Sequence, residues 1–521
     1  MSALFETRLR RLADLALGRL LARGLKGLEK ECLRVTPGAQ IAQTPHPAAL
    51  GSALTHPYIT TDYSEALLEF RTPPCKHAKE TLDFLTELHQ FAERRLGGEL
   101  LWASSMPCEL QGDESIPIAH YGGSNVGQMK HVYRRGLAYR YGRAMQAIAG
   151  VHFNYSLPEE FWPTYKDLEG DPQPLQDFIS SCYFALVRNL QRWGWIIPYL
   201  FGASPAFSKS FLTGPSREFE QFDAETLFRR DATSLRMSDI GYKNSTQSGL
   251  NISYNSLAEY VAGLAHAIET PYPDYERIGT KVHGEYRQLN THVLQIENEY
   301  YSIVRPKQIA ASGERPTAAL TRRGVKYVEV RALDVQTYDP TGVNLLQLRF
   351  LEGFLLMCLF SESPPLREND RREFERNELL VAARGREPNL ILRDHDQARV
   401  LTDWAADILA RTAAVCVILD DGDPERPYTA ALNAQCQAAA SPDLLPSARL
   451  LAEMRHKHES FLGFSLRLSN QHSQYFNQSR LSENRSNALT EAARQSLLKQ
   501  QEIEATDHIS FDEYLQRYFS R

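Results

Sequence analysis

Carboxylates, one histidine and one arginine recur at alternating positions in four short stretches of the chain. They are Gly27-Leu-Glu29-Lys-Glu31-Cys-Leu33, Asp62-Tyr-Ser-Glu65-Ala-Leu-Leu-Glu69-Phe-Arg71, Gly150-Val-His152-Phe-Asn154-Tyr-Ser156 and Lys326-Tyr327-Val-Glu329-Val-Arg331-Ala332. Side chains alternate across a β-strand, so residues two apart share a face. Glu65, Glu69 and Arg71 are thereby expected opposite Ala66, Leu68 and Phe70. His152 and Asn154 oppose Val151, Phe153 and Tyr155, and Tyr327, Glu329 and Arg331 oppose Val328, Val330 and Ala332. If these strands share a sheet, one face packs a core and the other gathers acid. Like charges held together raise one another's pKa or call for a cation. Oxygen ligands with one imidazole suit Mg²⁺ or Mn²⁺ rather than thiolate-bound zinc. The residues therefore point to a divalent-metal enzyme.

Each stretch taken alone also has a plainer reading. Glu-x-Glu is common on a solvated strand edge. Asp62, Glu65 and Glu69 could form an exposed charged face with Arg71 as partner. A histidine among valine and aromatics is often a core residue, and Glu329-x-Arg331 is often an ion pair within a strand. Together these readings would require four strands that expose acid with little lysine beside it.

Placing such strands side by side takes a frame of helices and loops. Leucines at helical spacing predict a helix over 4–22, ended near Gly24. Further helices are predicted over 76–96, 125–149 and 174–193, with a polar loop over 36–57. The 125–149 helix carries Arg134, Arg135, Arg140 and Arg143 among Tyr133, Tyr139 and Tyr141. It reads as a carboxylate or phosphate clamp, since guanidinium binds such groups bidentately, or as a solvated face with snorkelling stems. Over 202–251 periodicity is mostly lost, and a long irregular stretch inside a compact protein is often functional. After residue 340 the pattern turns helical: 342–360, 398–418, 446–458, 485–503 and 510–520. The expected organisation is an α+β core over 1–340 and a mostly helical region over 341–521 packed on it, without an independent folding boundary. No internal repeat is evident.

With 521 residues and 64 acidic against 58 basic side chains, the chain has the balance of an ordinary globular protein. That balance argues against a general nucleic-acid binder. Seven scattered cysteines without a Cys-x-x-Cys pair fit reduced thiols better than a disulfide framework. The N-terminus has no apolar signal core. The longest apolar run, Phe350 to Phe360, is interrupted by Glu352 and Gly353 and is too short to span a bilayer. There is no phosphate-binding Gly-x-x-x-x-Gly-Lys-Ser/Thr loop, no dinucleotide Gly-x-Gly-x-x-Gly, no Gly-x-Ser-x-Gly elbow and no His-Glu-x-x-His. A bound nucleotide would have to be held by metals and arginines.

The same blocks, with Ser234-Leu-Arg236-Met-Ser-Asp239 and Ile296-Glu-Asn-Glu-Tyr-Tyr301-Ser-Ile-Val-Arg-Pro-Lys307, resemble glutamate–cysteine ligase of the proteobacterial type. The resemblance lies in motifs between about residues 20 and 345 and fits the whole length. It implies a glutamine-synthetase-like antiparallel sheet that forms an active-site funnel. It also implies ATP-dependent joining of the L-glutamate γ-carboxylate to the L-cysteine amine, the first step of glutathione synthesis. Carried over by motif, Glu29, Glu31, Asp62, Glu69, His152 and Glu329 would hold Mg²⁺, with Mn²⁺ as a substitute. Arg331 would face the transferring phosphoryl group and Arg236 would hold glutamate. Tyr63, Tyr133, Leu137, Gln146, Tyr242 and Tyr301 would line the cysteine pocket. Position 63 is Tyr where the family has Phe, so its hydroxyl has no inherited role. Asp62 or a phosphate oxygen would take the proton of the acceptor amine. The resemblance further implies a cytoplasmic monomer, inhibited by glutathione, with no nucleic acid or membrane partner. A related ligase with another acceptor amino acid is the nearest alternative.

Overall fold

The computed structural model describes residues 2–212, 214, 218–241, 250, 252–311 and 313–520. Its centre is one seven-stranded sheet. The strands are β1 (Leu25–Val35), β2 (Ile59–Thr61), β3 (Leu67–Arg71), β4 (Leu100–Leu101), β5 (Gly150–Ser156), β6 (Val304–Lys307) and β7 (Tyr327–Asp334). Their order is β6-β7-β5-β1-β3-β2, with β4 paired to the end of β1. Every pair is antiparallel. The α+β class and the antiparallel sheet expected from the sequence are therefore found, and all four acidic stretches lie in or beside this sheet.

Register aligns the acids. Glu29 faces His152 on β5 and Arg71 on β3, and Glu31 faces Glu69. Glu329 faces Asn154 across the β7–β5 pair. A bulge between Val330 and Leu333 lets the end of β7 continue along β5.

The even-numbered residues of β1 turn to the other face, where helices cover them. Leu28 and Cys32 join the main apolar core there. The Leu345–Phe360 helix is buried over almost its whole length and packs against the Leu175–Trp193, Leu401–Leu419 and Pro427–Ala440 helices. This helix was the apolar run in the sequence, and a helix apolar on all sides belongs in an interior. Its one carboxylate, Glu352, meets Lys26 of β1 at 2.7 Å with both side chains out of solvent. The Tyr428 hydroxyl donates to Glu352 at 2.8 Å, and the Lys26 ammonium also donates to the Ala22 and Lys76 carbonyls.

Several expectations change, and the helix expected over 4–22 is two, Ala3–Asp14 and Gly18–Leu21. The 62–71 stretch is not one strand. β2 ends at Thr61, and a turn closed by hydrogen bonds from Asp62 N to Leu67 O and from Leu67 N to Ser64 O returns the chain as β3. Glu65 sits in that turn, so it does not share the acid face with Glu69. Its carboxylate accepts the backbone N–H of His46 at 2.6 Å and that of His120. The helix expected over 125–149 ends at Tyr141. Gly142 follows at φ 81°, a conformation that favours glycine and stops a helix, and a short 3₁₀ turn, Met145–Ala147, leads into β5. The 202–251 stretch contains a three-stranded sheet of Ala206–Ser208, Glu220–Gln221 and Thr226–Phe228, and a 3₁₀ turn at Leu235–Met237. Among the described residues no helix is long and apolar enough to cross a membrane.

The Lys26–Glu352 pair makes a stability prediction. Lys26→Met leaves a buried carboxylate without its cation, and breaking a buried pair costs roughly 3–5 kcal/mol. Urea unfolding should show a lower midpoint and an unfolding free energy reduced to that extent. Lys26→Met with Glu352→Leu should recover much of the loss.

Candidate active site

His152 stands at the centre of the acid face. Its Nδ1 lies 3.3 Å from Glu29 and 3.5 Å from Glu329, and its Nε2 lies 3.5 Å from Glu31. One ligand atom each from Glu29, His152 and Glu329 lies within 4.8 Å of the others, a spacing that would hold a metal ion. Burial and the Arg331 charge push the His152 pKa down, so the imidazole is neutral with a lone pair to give. Its Nε2 is buried and makes no hydrogen bond. Hard oxygens with one neutral imidazole fit Mg²⁺ or Mn²⁺.

The remaining carboxylates crowd the same space. Burial, and then the charge of Asp62, push the Glu31 pKa well above the ordinary carboxylate value. Glu69 is also raised, by burial and by Glu29 and Asp62 against the pull of Arg71. Burial works to raise Glu29 as well, but its hydrogen bond with His152 prevails and holds it down to about 2. Against its own burial, Glu329 is held low by Lys307, Arg331 and Arg305.

Cations and donors frame these acids. Arg331 donates to Glu329 at 2.9 Å, and the Lys307 ammonium lies 3.3 Å from the other Glu329 oxygen. Arg71 grips Glu69 with two hydrogen bonds, at 2.7 and 3.1 Å. The Asn154 amide donates to Glu29 at 2.9 Å, and the Gly150 N–H donates to Glu31 at 2.7 Å. Arg236 is fully buried beneath this floor. It donates to the Arg331 carbonyl at 2.9 Å and lies 3.7 Å from Asp334. A Cβ on Gly150 would come 2.1 Å from the Arg236 guanidinium, so a larger residue there would displace that side chain. The motifs give Lys307 and Asn154 no role, and Arg71 only that of a partner to the acids of its stretch. Asn154 and Arg71 were signalled by alternation, each standing two residues from a site residue on its strand. Lys307 lay inside a recognised block, but nothing local to it placed it beside Glu329.

A second group lies at the β2–β3 turn. Asp62, Gln146 and Tyr301 line one small cavity with Met145 and Ile148. The Gln146 amide donates to the Tyr301 hydroxyl at 3.1 Å. Tyr133, on the Asn125–Tyr141 helix, is raised in pKa by burial and by the nearby Glu299 and Tyr301. Leu137, one turn further on, belongs to the apolar core. Tyr63 is buried, its hydroxyl makes no hydrogen bond, and it is not among the residues lining that cavity. Tyr242 falls outside the described residues. The arginines of the 125–141 helix hold the protein itself. Arg140 pairs with Glu299 at 2.9 Å with both side chains buried, Arg135 pairs with Glu285, and Arg134 donates to the Asp62 carbonyl. Arg143, just past the helix, pairs with Glu114.

A floor of hard oxygen ligands around one imidazole, rimmed by arginine and lysine, is a donor set that could hold a divalent cation. The chain belongs to the glutamate–cysteine ligase family, whose sequence profile matches residues 9–381. The glutamate–cysteine ligase of Azotobacter vinelandii is 50% identical over 521 residues, covering 99% of this chain and 98% of that one. That of Pseudomonas aeruginosa PAO1 is 48% identical over 518 residues, covering 99% and 98%. The crystal structure of glutamate–cysteine ligase from Francisella tularensis in complex with AMP superposes with a TM-score of 0.90 at 36% identity, covering 96% of this chain and 98% of that chain. A bifunctional glutathione synthetase from Pasteurella multocida shares the fold, with a TM-score of 0.70 at 24% identity, over 90% of this chain and 55% of that one.

The crowded floor should cost stability when no cation is bound. A carboxyl whose folded pKa is raised contributes fully below its unfolded value, 4.5 for Glu31, and that contribution is lost as pH rises towards the folded pKa. In a chelator, Glu31→Gln should therefore melt higher than the parent at mildly alkaline pH, by roughly 2 °C or more. The gain should vanish near pH 4.5. Melting curves across pH test this, and a variant less stable than the parent at alkaline pH would contradict it.

Proposed function

We propose that the chain joins L-glutamate to L-cysteine through the γ-carboxylate, converting ATP to ADP and phosphate and releasing γ-glutamylcysteine, the first step of glutathione synthesis. The observation that carries this reading is the Glu29–His152–Glu329 cluster with Arg331 bonded to it, in a chain of this family.

The chemistry accounts for the residues. A carboxylate is a poor acylating agent. Its γ-oxygen first attacks the terminal phosphorus of ATP, the bond to ADP breaks, and γ-glutamyl phosphate forms. The acceptor nitrogen then attacks the acyl carbon and phosphate leaves with the acyl oxygen. Both reactants of the first step are anionic. Bound Mg²⁺ would supply charge neutralisation on the phosphates and alignment for in-line transfer. We assign its ligation to Glu29, Glu31, Asp62, Glu69, His152 and Glu329, with Mn²⁺ able to substitute. Arg331, held by Glu329, covers the charge that develops on the transferring group. Arg236 is our choice for binding glutamate, since its guanidinium sits directly behind Gly150 and acts on Glu31. The acceptor enters beside Asp62, Gln146 and Tyr301, with Tyr133 and Leu137 of the adjoining helix assigned to the same pocket. There Asp62 or a phosphate oxygen takes the ammonium proton, leaving the nitrogen lone pair free. We carry over inhibition by glutathione, a monomeric state and a cytoplasmic setting as expectations of the family.

The direct test is ADP release from ATP, glutamate and Mg²⁺ with and without cysteine, and cysteine-dependent release is expected. A small pocket separates near-isosteres by only ~1–3 kcal/mol. 2-Aminobutyrate should therefore replace cysteine at measurable rate, and its complete failure would refute reading by shape. Glu329→Gln should lower kcat roughly a hundredfold or more with the fold retained, because a metal ligand is lost. A folded variant with full activity would remove Glu329 from the site.

A further inference from the structure

Lys130 stands at the β2–β3 end of the floor, beside Tyr121. It lies on the Asn125–Tyr141 helix with its ammonium 5.1 Å from the centre of the Tyr121 ring. Arg134, one turn on, lies over the same ring at 4.7 Å. The Tyr121 hydroxyl in turn donates to the carbonyls of Thr61 and Asp62, at 2.8 and 2.9 Å. Lys130, Tyr121 and Asp62 are thus tied into one corner of the site.

The charges in that corner do not balance. Arg71 is matched by Glu69, and Arg134 is spent on two neutral acceptors, the carbonyls of Asp62 and Lys130. None of the described carboxylates forms an ion pair with Lys130. Burial, and the charges of Arg134 and Arg71, lower its pKa to about 8, with only Glu69 acting in the other direction. A half-buried ammonium beside two guanidiniums is an unfavourable arrangement until an anion joins it.

We propose that Lys130 is a substrate-binding residue, its ammonium taking an oxyanion of a reactant: the α-carboxylate of the acceptor amino acid, or a phosphate of the nucleotide. The inference rests on the reaction proposed above. Helix geometry favours the carboxylate. Residues 130, 133, 134 and 137 share one helix face, so Lys130 stands one turn before Tyr133 and two before Leu137, the residues assigned to the acceptor. A carboxylate held by Lys130 would leave the acceptor amine beside Asp62.

The test compares Lys130→Met, which keeps the stem over Tyr121 and removes the charge, with Lys130→Arg, which keeps a cation. Losing a charged hydrogen bond should raise the KM of cysteine about tenfold or more in the Met variant. The values of kcat and of KM for glutamate and ATP should stay within about twofold of the parent, and Lys130→Arg should restore most of the loss. Cysteamine, an acceptor without the carboxylate, should be used equally by parent and Met variant. A rise in the KM of ATP instead, with that of cysteine unchanged, would assign the oxyanion to phosphate. A parent active with cysteine and a Met variant unchanged in all three KM values would overturn the proposal. A parent without cysteine-dependent ADP release would overturn the reaction and this role together.

Discussion

Carboxylates crowded onto one buried face of a sheet are the constraint to which the rest of this structure responds. Glu29, Glu31, Glu69 and Glu329 sit on β1, β3 and β7 around a single histidine, with Asp62 at the adjoining turn. Such a set is unfavourable by itself, since burial and mutual repulsion both oppose ionisation. The protein offsets part of this with its own cations and dipoles: Arg331 and Lys307 on Glu329, Arg71 on Glu69, and the Gly150 N–H on Glu31. It leaves the remainder uncompensated at Glu31 and Glu69, whose pKa values stay high. That residue of repulsion is what a bound divalent cation would relieve.

The back of the sheet answers the opposite need. There β1 must dock rigidly on helices, and it does so with Leu28, Cys32 and the Lys26–Glu352 pair. One strand thereby carries the acids of the floor on its odd positions and the anchor to the helical layer on its even ones. A shift of one residue in its register would exchange the two faces entirely. The buried ion pair supplies a specific partner for β1 on the Leu345–Phe360 helix.

How much of this could be read from the sequence follows the range of each signal. Strand alternation is local, and it placed Glu29, Glu31, Glu69, His152 and Glu329 on one face correctly. It failed at Glu65, because a turn interrupts the period and points that carboxylate at the backbone of His46 and His120. The helix over 125–149 was overextended because Gly142 gives a weak stop signal in a sequence still rich in Arg and Tyr. The same arginines read as an anion clamp, yet Arg140, Arg135 and Arg143 have acids as partners, and those of Arg140 and Arg135 are more than a hundred residues away in sequence. Lys307 belongs to the same class: its meaning comes from the β6–β7 pairing, and pairing is a long-range fact. The adjacency of the four acidic stretches was of this kind too, and only the strand order established it.

The two sides of the site are built from different material. The acid floor is made of paired strands, each fixed by a ladder of hydrogen bonds. Asp62, Gln146 and Tyr301 instead come from a turn, a 3₁₀ segment and a loop. Sequence drift in those connections can reshape the cavity beside Asp62, where we place the acceptor, without disturbing the strands of the floor. A lineage, or a protein engineer, could therefore change the incoming amine in small steps while inheriting the activation chemistry intact.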